Sequence, residues 1–308
     1  MLRLTLKYPI HTLDKQLLFS PGAFLTKETL DAVIHSYRAD SYKTYPLLLY
    51  GSVKGDCLNF LNNPPYETIF SDKNQINDLL NILETVYLSD PILQSLDYFK
   101  QHDTYTYAHI LMVFALSTLL AKDLIPDYQE LIRLSATGPT HDIGKICVPL
   151  PILKKKMPLT KTERGFLEHH AVAGYALLSY YYKSTQHLAC EVALDHHERR
   201  DGSGYPRGIL FKAPLVEIIA VSDIYDALIR PRPYRSTAYD NRTALEEITE
   251  MARENKIGWE VVKTLIVHNR KSKPTYGEMK ISAEKRGTPP LYNVYGVIAG
   301  QEKTDSED

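Results

Sequence analysis

Cysteine is scarce in this 308-residue chain, which has only three cysteines, and no CxxC pair occurs. The wide spacing of Cys57, Cys147 and Cys190 excludes a zinc ribbon and a thioredoxin-type redox motif. An odd and sparse set of cysteines also argues against a secreted disulfide scaffold. Reduced thiols are the simplest expectation, and we therefore predict a cytoplasmic protein.

Net charge is nearly absent as well, because 36 Lys and Arg residues stand against 37 Asp and Glu residues. A chain with this balance has no overall electrostatic attraction to a nucleic-acid polymer or an anionic membrane, and we predict neither as a partner. The longest apolar stretch, residues 110–121, is shorter than the ~20 residues that span a bilayer. The N-terminus alternates Leu2, Leu4 and Leu6 with other residues, which is typical of a strand and not of a signal peptide.

The organisation along the chain predicts two folded regions and a tail. Residues 1–95 are predicted as a small α+β regulatory domain with a linker helix, residues 96–275 as a helical domain, and residues 276–308 as a C-terminal tail. Within the first region, residues 45–50 (YPLLLY) are typical of a buried strand, and residues 26–36 have helical spacing with Thr26 as N-cap. From about residue 74, apolar residues recur with helical spacing, as one long helix or two in series.

The second region is strongly helical by the spacing of its apolar residues. Thr160 and Glu163 form a capping box, and Pro126 and Pro214 lie where helices begin. The predicted helices cover residues 104–122, 126–136, 160–183, 185–197, 214–229, 241–254 and 258–270.

Histidine is concentrated in this region, where eight of the eleven histidines lie between residues 102 and 197. Together with two aspartates they form an ordered series, and each gap of 26 to 32 residues accommodates one helix and a connection. Helices of a bundle can therefore deliver these side chains to one central site. The candidate metal ligands are His109, His141, Asp142, His170, His196, His197 and Asp223.

Imidazole and carboxylate groups without thiolate suit iron, manganese, zinc or nickel. Seven ligands exceed the needs of one ion, so we predict two ions bridged by Asp142. A paired site of this kind activates water for attack on a phosphoester. The remaining histidines are expected to be structural or exposed. Because His169 and His170 are adjacent on a helix, only one of them can face the bundle interior.

Four segments in and beyond this series resemble one family. HDIGK at 141–145, HHERRDGSGYP at 196–206, SDIYDAL at 222–228 and RPYR at 232–235 are similar to the HD-GYP family. These bacterial enzymes, members of the HD metal-dependent phosphohydrolase superfamily, hydrolyse cyclic di-GMP. TYTYAH at 104–109 and EHHAVAG at 168–174 resemble the segments that carry the family's first and middle histidines, so the resemblance covers about residues 100–270.

The resemblance implies a mainly α fold, an HD-type helical bundle with a dinuclear metal centre, preceded by a small α+β N-terminal domain. Residues 96–275 would then be the catalytic domain of a cyclic di-GMP phosphodiesterase that forms pGpG and onward GMP. We expect two divalent transition-metal ions, with iron as the first choice and manganese, zinc or nickel as alternatives. One ion would be held by His109, His141, Asp142 and Asp223, and the other by His170, His196 and His197, with Asp142 shared.

The resemblance also assigns residues around the metal centre. Lys145 would act with Asp142 in catalysis and hold a substrate phosphate, and Arg232 and Arg235 would bind phosphate or guanine. The residues of the GYP loop are expected to line the rim of the site and to offer a docking surface for a diguanylate cyclase. They are Gly202, Gly204, Tyr205 and Pro206.

Three positions depart from the family pattern. Tyr105 replaces an acidic residue that binds a third ion in some members of the family. Gly138-Pro139 interrupts the helix expected before His141, and Glu217 replaces a basic residue. The interruption before His141, and the lack of any resemblance of residues 1–95 to a phosphoreceiver domain, motivate an alternative function. This alternative is a catalytically weak module that binds a cyclic dinucleotide or a protein partner and retains the metal site. A third reading, an HD phosphohydrolase acting on a mononucleotide or alarmone, is disfavoured by the GYP segment.

Overall fold

Three small antiparallel ladders lie in or close to the N-terminal third of the chain in this computed structural model. The structure describes residues 3–36, 42–232, 235, 237–270, 272, 281–282, 284–290 and 299. Pro233 and Tyr234 of the predicted substrate-binding segment, and most of the predicted tail, lie outside these residues. The strands are β1 (Arg3–Thr5), β2 (Ile10–His11), β3 (Leu17–Phe19), β4 (Phe24–Thr26), β5 (Thr44–Pro46) and β6 (Tyr87–Ser89). They pair β1 with β4, β2 with β3, and β5 with β6.

Helices make up most of the described chain, which confirms the predicted mainly α fold with a small α+β region before it. The α-helices are α1 (Lys27–Ser36), α2 (Val53–Leu61), α3 (Lys73–Leu83), α4 (Asp90–His102), α5 (Thr104–Leu124), α6 (Tyr128–Ser135), α7 (Leu150–Leu153), α8 (Lys161–Tyr182), α9 (Leu188–Asp195), α10 (Pro214–Ile229), α11 (Asn241–Arg253) and α12 (Trp259–His268). Three short 3₁₀ turns cover Leu47–Leu49, Gly138–Thr140 and Ile143–Cys147.

The predicted strand at residues 45–50 is wrong in its second half. Only Thr44–Pro46 pairs with a neighbouring strand, and the following residues turn as a 3₁₀ helix. This turn buries both Leu47 and Leu48, whereas neighbouring residues of a strand point to opposite faces. The stretch that begins near residue 74 consists of two helices, α3 and α4, and β6 lies between them.

Helix α5 occupies the centre of the bundle, and every residue from Thr106 to Ala121 is buried. It packs against α2, α3 and α4, which precede it in the chain, and against α6, α10 and α12, which follow it. An α-helix that is apolar on all sides is expected to be buried in this way. With 21 residues, α5 is long and apolar enough to cross a membrane, although the apolar stretch 110–121 alone is too short. However, 89% of its most apolar segment is buried inside the protein.

The hydrophobic core is continuous across the predicted domain boundary near residue 95. Buried apolar side chains of residues 6–96 and of the helical region belong to the same cluster. Leu61 and Leu83 before the boundary, and Leu111 and Phe114 after it, are all fully buried members of that cluster. The division into domains remains a prediction.

Candidate metal centre

The structure brings all seven predicted metal ligands to one place in the bundle. His109 lies on α5, His170 on α8 and Asp223 on α10, while the other ligands lie on turns or at a helix end. His141 and Asp142 separate two 3₁₀ turns, and His196 and His197 follow directly after α9. All seven are buried except His197, whose side chain is 16% exposed. The cluster therefore draws on five separate segments.

Asp142 lies between the two halves of this cluster, and its two carboxylate oxygens face different histidines. Its Oδ2 lies 3.4 Å from Nε2 of His109 and 3.4 Å from Nε2 of His141. Its Oδ1 lies 3.3 Å from Nε2 of His170 and 4.0 Å from Nε2 of His196. This arrangement is the one that a carboxylate needs in order to bridge two ions.

Each half of the cluster has its own set of close donor atoms. Nε2 of His170 lies 3.1 Å from Nε2 of His197 and 3.4 Å from Nε2 of His196. On the other side, Nε2 of His109 lies 3.0 Å from Oδ1 of Asp223. The described residues contain three groups whose potential ligand atoms all lie within 4.8 Å of one another: His170, His196 and His197; His109, His141 and Asp223; and His141, Asp142 and His196.

Acceptors behind the cluster orient four of the imidazole rings. Nδ1 of His141 donates to the carbonyl of Gly138 at 2.7 Å, Nδ1 of His170 to a carbonyl at 2.5 Å, and Nδ1 of His196 to a carbonyl at 2.9 Å. For His109 the acceptor is Oδ2 of Asp226, at 2.6 Å. Since Nδ1 carries the hydrogen in these bonds, Nε2 of each neutral ring presents its lone pair to the centre.

Burial keeps several of these rings neutral. Burial, together with the neighbouring His141 and His170, lowers the pKa of His196 to about 3. Burial also lowers the pKa of His170, and it holds the pKa of His197 well below its usual range. A neutral imidazole is the form that binds a metal ion.

The charges of the other ligands depend on their neighbours. Burial alone would raise the pKa of Asp142, but the Lys145 ammonium and the His141 imidazole hold it well below its usual range. Burial alone would lower the pKa of His109, but the carboxylates of Asp226 and Asp223 outweigh it and raise that pKa. Asp142 is therefore a carboxylate anion within the cluster.

Divalent metal ions fit this donor set. Nε2 of His141 is fully buried and has no hydrogen-bond partner among the described residues. Nε2 of His170 and Nε2 of His197 lie 3.1 Å apart, so both nitrogens can face the same ion. An unpartnered buried nitrogen is costly, and ligation to an ion removes that cost. The seven residues are thus able to hold metal.

The HD segment reaches the cluster on 3₁₀ turns, not on an α-helix. Gly138-Pro139 starts the first turn, and the Gly138 carbonyl is the acceptor that orients His141. The interruption therefore places His141 in the cluster. Gly144 lies against helix α8, where an added methyl group would overlap the carbonyl oxygen of His170 and the backbone nitrogen of Gly174.

The GYP loop packs beside His197. Gly202 has a φ of +80°, and an added methyl group on Gly204 would overlap the backbone of His197 and Glu198. The ring of Tyr205 stacks on His197 with centroids 4.5 Å apart, and the Tyr205–Pro206 peptide bond is cis. The loop is therefore built against one of the predicted ligands.

Glu198 is a buried residue that the sequence analysis missed. Its carboxylate accepts hydrogen bonds from the backbone nitrogens of Arg207 at 2.7 Å and Ile209 at 3.2 Å, and thus holds both ends of the GYP loop together. Glu217, the departure noted on α10, forms a two-bond ion pair with Arg200 at the start of the loop. Both acidic residues stabilise the loop from outside the metal cluster.

A cavity opens onto the cluster, and its charged lining is cationic on balance, with five cationic side chains against the carboxylates of Glu168 and Asp223. His170, His197 and Tyr205 also line it. Its positively charged lining residues are Lys145, Arg164, Arg199, Arg232 and Arg235. An anionic ligand would be attracted to this cavity.

The predicted substrate-binding residues differ in their surroundings. Nζ of Lys145 lies 2.5 Å from Oδ2 of Asp142, beside the cluster. Arg232 lies over the ring of Tyr105 at 5.4 Å. Arg235 is only 2% exposed and donates to the carbonyls of Ala227, Leu228 and Arg230 at the end of α10, which is a structural use. Contact of these residues with substrate remains a prediction.

Two residues that the sequence analysis gave no role in the site lie behind His109. Asp226 is fully buried and accepts from Nδ1 of His109, and the hydroxyl of Tyr66 donates to the same carboxylate. Asp226 follows Asp223 by about one helical turn, so the two residues share a face of α10. This spacing is the feature of the sequence that could have indicated Asp226. Nothing in the sequence around Tyr66 indicates its contact, because it is 160 residues away from Asp226.

The part of the chain that contains the cluster is similar to known proteins. A sequence model described as an HD domain matches residues 88–261. A cyclic di-GMP phosphodiesterase of Pseudomonas aeruginosa is 38% identical over 189 residues, which cover 60% of this chain and 44% of that protein. A cyclic di-GMP phosphodiesterase of Thermotoga maritima is 31% identical over 214 residues, or 69% of this chain and 52% of that protein.

A third relative has another nucleotide in its name. The 3′3′-cGAMP-specific phosphodiesterase 1 of Vibrio cholerae is 38% identical over 135 residues, which cover 43% of this chain and 31% of that protein. The chain thus spans about half or less of the length of these curated relatives.

Proposed function

The chain belongs to the HD domain family, and we propose that it is a metal-dependent phosphodiesterase that hydrolyses cyclic di-GMP to linear pGpG and onward to GMP. The observation that carries this proposal is the buried cluster of imidazole nitrogens and carboxylates, three members of which line a cavity with a cationic charge balance. Relatives named as phosphodiesterases of cyclic dinucleotides support the substrate class.

The seven clustered residues divide into two ligand sets in this proposal. His109, His141, Asp142 and Asp223 would hold one ion, and His170, His196 and His197 would hold the other, with Asp142 shared. Divalent ions supply an activated water nucleophile at neutral pH and neutralise charge on the phosphoester. We propose two iron ions, with manganese, zinc or nickel as alternatives.

The chain's own residues would bind and orient the dinucleotide. Lys145 would exchange part of its contact with Asp142 for a substrate phosphate, as the compact charge of an ammonium group allows. Arg232 lines the same cavity and would bind a second phosphate or a guanine edge. Water adds across the bond between phosphorus and the 3′ oxygen, which leaves a 5′ phosphate and a free 3′ hydroxyl.

Two further proposals concern the cellular setting. The GYP loop is partly exposed beside the cavity and would dock a diguanylate cyclase, which synthesises the substrate. The protein would act in the cytoplasm, where cyclic dinucleotides serve as signals.

The deciding experiment combines metal analysis with a hydrolysis assay. Protein purified without oxygen is analysed for its elements and then incubated with cyclic di-GMP, 3′3′-cGAMP or cyclic di-AMP, and pGpG and GMP are quantified. We expect about two ions per chain and preferential turnover of cyclic di-GMP. The variant His141→Ala is expected to lose at least about 100-fold of the activity, because it removes a proposed ligand.

His35→Ala is the matched control, since His35 is exposed on α1 and away from the cluster, and it is expected to keep full activity. Tight binding of cyclic di-GMP without product would refute the phosphodiesterase and favour a binding module. Preferential turnover of 3′3′-cGAMP or of a mononucleotide would refute the proposed substrate.

A further inference from the structure

We propose that Tyr66, which lies outside the HD domain segment, is a positioning residue of the metal centre and acts on His109 through Asp226. This inference rests on the metal site of the proposed function, but it concerns how the site is held in place. It also assigns a specific task to a residue of the N-terminal region.

The contacts form a continuous chain of three side chains. The hydroxyl of Tyr66 donates to Oδ1 of Asp226, and Oδ2 of Asp226 accepts from Nδ1 of His109 at 2.6 Å. Tyr66 is 3% exposed, Asp226 is 0% exposed and His109 is 1% exposed. Both oxygens of the carboxylate are therefore engaged, one from the N-terminal region and one from the metal cluster.

Asp226 determines which nitrogen of His109 faces the cluster. A carboxylate behind a metal-binding histidine holds the hydrogen on the far nitrogen and fixes the orientation of the ring. With Nδ1 bonded to Asp226, Nε2 of His109 points to Asp223 at 3.0 Å and to Asp142 at 3.4 Å. If Asp226 rotated, the ligand atom of His109 would move with it.

Tyr66 restrains that rotation. Without its hydroxyl, Oδ1 of a fully buried carboxylate would lose its hydrogen bond, and such a group is costly in a buried environment. Burial, followed by the charge of Asp226, raises the pKa of Tyr66 well above its usual value, so the phenol remains a donor at physiological pH. The guanidinium of Arg230 is also close to this carboxylate, but its Nη1 lies 3.7 Å from Oδ2 and not beside Oδ1.

The segment that carries Tyr66 is itself anchored to the ligand-bearing helix. Tyr66 follows α2, and its backbone nitrogen bonds to the carbonyl of Asn63 at 3.0 Å. On α2, Asp56 accepts from the hydroxyl of Tyr107 at 2.7 Å and from Lys100 at 2.7 Å. Tyr107 lies on α5, two residues before His109. The N-terminal segment therefore makes two contacts close to His109, one from Asp56 to Tyr107 and one from Tyr66 to Asp226.

The test is a comparison of Tyr66→Phe with Tyr50→Phe. Both substitutions remove one phenol hydroxyl that donates to an aspartate, but the acceptor of Tyr50 is Asp97, at 2.7 Å and outside the cluster. Metal-free proteins are titrated with Co²⁺, and binding is followed by visible absorption. We expect Y66F to weaken the binding of one Co²⁺ about 10-fold or more, as other losses of such partners do, and Y50F to leave it unchanged.

A second pair of variants separates positioning from packing. In an Asp226→Asn background the chain of contacts is already altered and no buried charge needs the hydroxyl, so adding Y66F is expected to change Co²⁺ affinity less than 2-fold. This pair also decides the matter if Y66F alone does not fold. A 10-fold loss in the D226N background would overturn the inference by assigning the effect to packing.

The outcomes separate this inference from the proposed function. Wild-type Co²⁺ affinity in Y66F would overturn the role of Tyr66 and leave the phosphodiesterase standing. Failure of the wild-type protein to bind Co²⁺ would refute the metal centre itself. Normal metal binding without hydrolysis of cyclic di-GMP would refute only the enzymatic function.

Discussion

Gly144 is the residue that lets the HD segment lie directly against helix α8. An added methyl group would overlap backbone atoms of His170 and Gly174, which cannot move without shifting a proposed ligand. Forced overpacking of this kind costs about 1–3 kcal/mol or more. We expect Gly144→Ala to lower the free energy of unfolding by about 3 kcal/mol, measured by urea denaturation of the metal-free protein.

Gly55 provides the matched control for that substitution. It is exposed within α2, and an added methyl group there would meet no atom within 4 Å. Because alanine favours the helix more than glycine does, Gly55→Ala should raise the free energy of unfolding by about 0.5–1 kcal/mol. Equal effects of the two substitutions would contradict the close approach at Gly144.

At the same scale, the sequence predicted the cluster but not the side chains behind it. Histidines and aspartates at regular gaps are a local pattern, and a bundle brings such residues together. The partners of these ligands depend on packing between distant segments, as in the contact of His109 with Asp226 across 117 residues. Glu198 was missed for another reason, because the donors to its carboxylate are backbone N–H groups, which no side-chain motif records.

Among the elements, α9 carries His196 and His197 at its end and depends on His187 at its start. Nδ1 of His187 accepts from the backbone nitrogen of Ala189 at 3.2 Å, and the ring stacks on Tyr182 with centroids 4.0 Å apart. Partial burial and the nearby Arg133 lower the pKa of His187. The neutral ring caps the helix, and protonation would remove the acceptor.

This cap predicts a pH dependence. Because the pKa of His187 is lower in the folded state, its contribution to stability is present above its ordinary value of 6.5 and is lost as pH falls through the folded pKa. An asparagine caps without titrating in this range. Wild type should therefore lose more stability than His187→Asn when the pH falls from 8 to 5. The difference between their free energies of unfolding should shift by up to about 1 kcal/mol in favour of the variant.

The comparison of unfolding curves at these two pH values checks that prediction, and His187→Ala is its control. Without any cap, H187A should be less stable than wild type at pH 8, and the difference should shrink towards pH 5. A constant difference between wild type and H187N across this range would show that His187 does not titrate as a cap.

The helices themselves were predicted well wherever their apolar spacing was long. The bounds of α5, α8 and α10 differ from the predicted ranges by no more than two residues at either end, and Thr160 and Glu163 form the predicted capping box. Short apolar runs were less informative, as at residues 45–50, because such a run suits a strand and a buried turn equally. The four-residue helix α7 is too short to have a recognisable period.

For the whole molecule, the metal cluster lies at the meeting point of five segments and should contribute to global stability. A ligand that binds only the folded state adds about 2.7 kcal/mol per site at a free concentration 100 times its dissociation constant. We expect chelation to lower the thermal unfolding midpoint by several degrees and added Mn²⁺ or Zn²⁺ to restore it. His141→Ala should show a smaller response, whereas an unchanged midpoint in the wild-type protein would contradict a metal-binding role for the cluster.

Helix α5 has a consequence for how the chain can be divided. Its apolar surface is covered on one side by α2 and α3, which precede the segment that matches the HD domain. A fragment that begins at residue 88 would expose that surface to water, and an exposed apolar face of a helix promotes self-association. The N-terminal region therefore cannot be exchanged freely for another domain. A chimera that replaces it must provide other apolar side chains to cover this surface of α5.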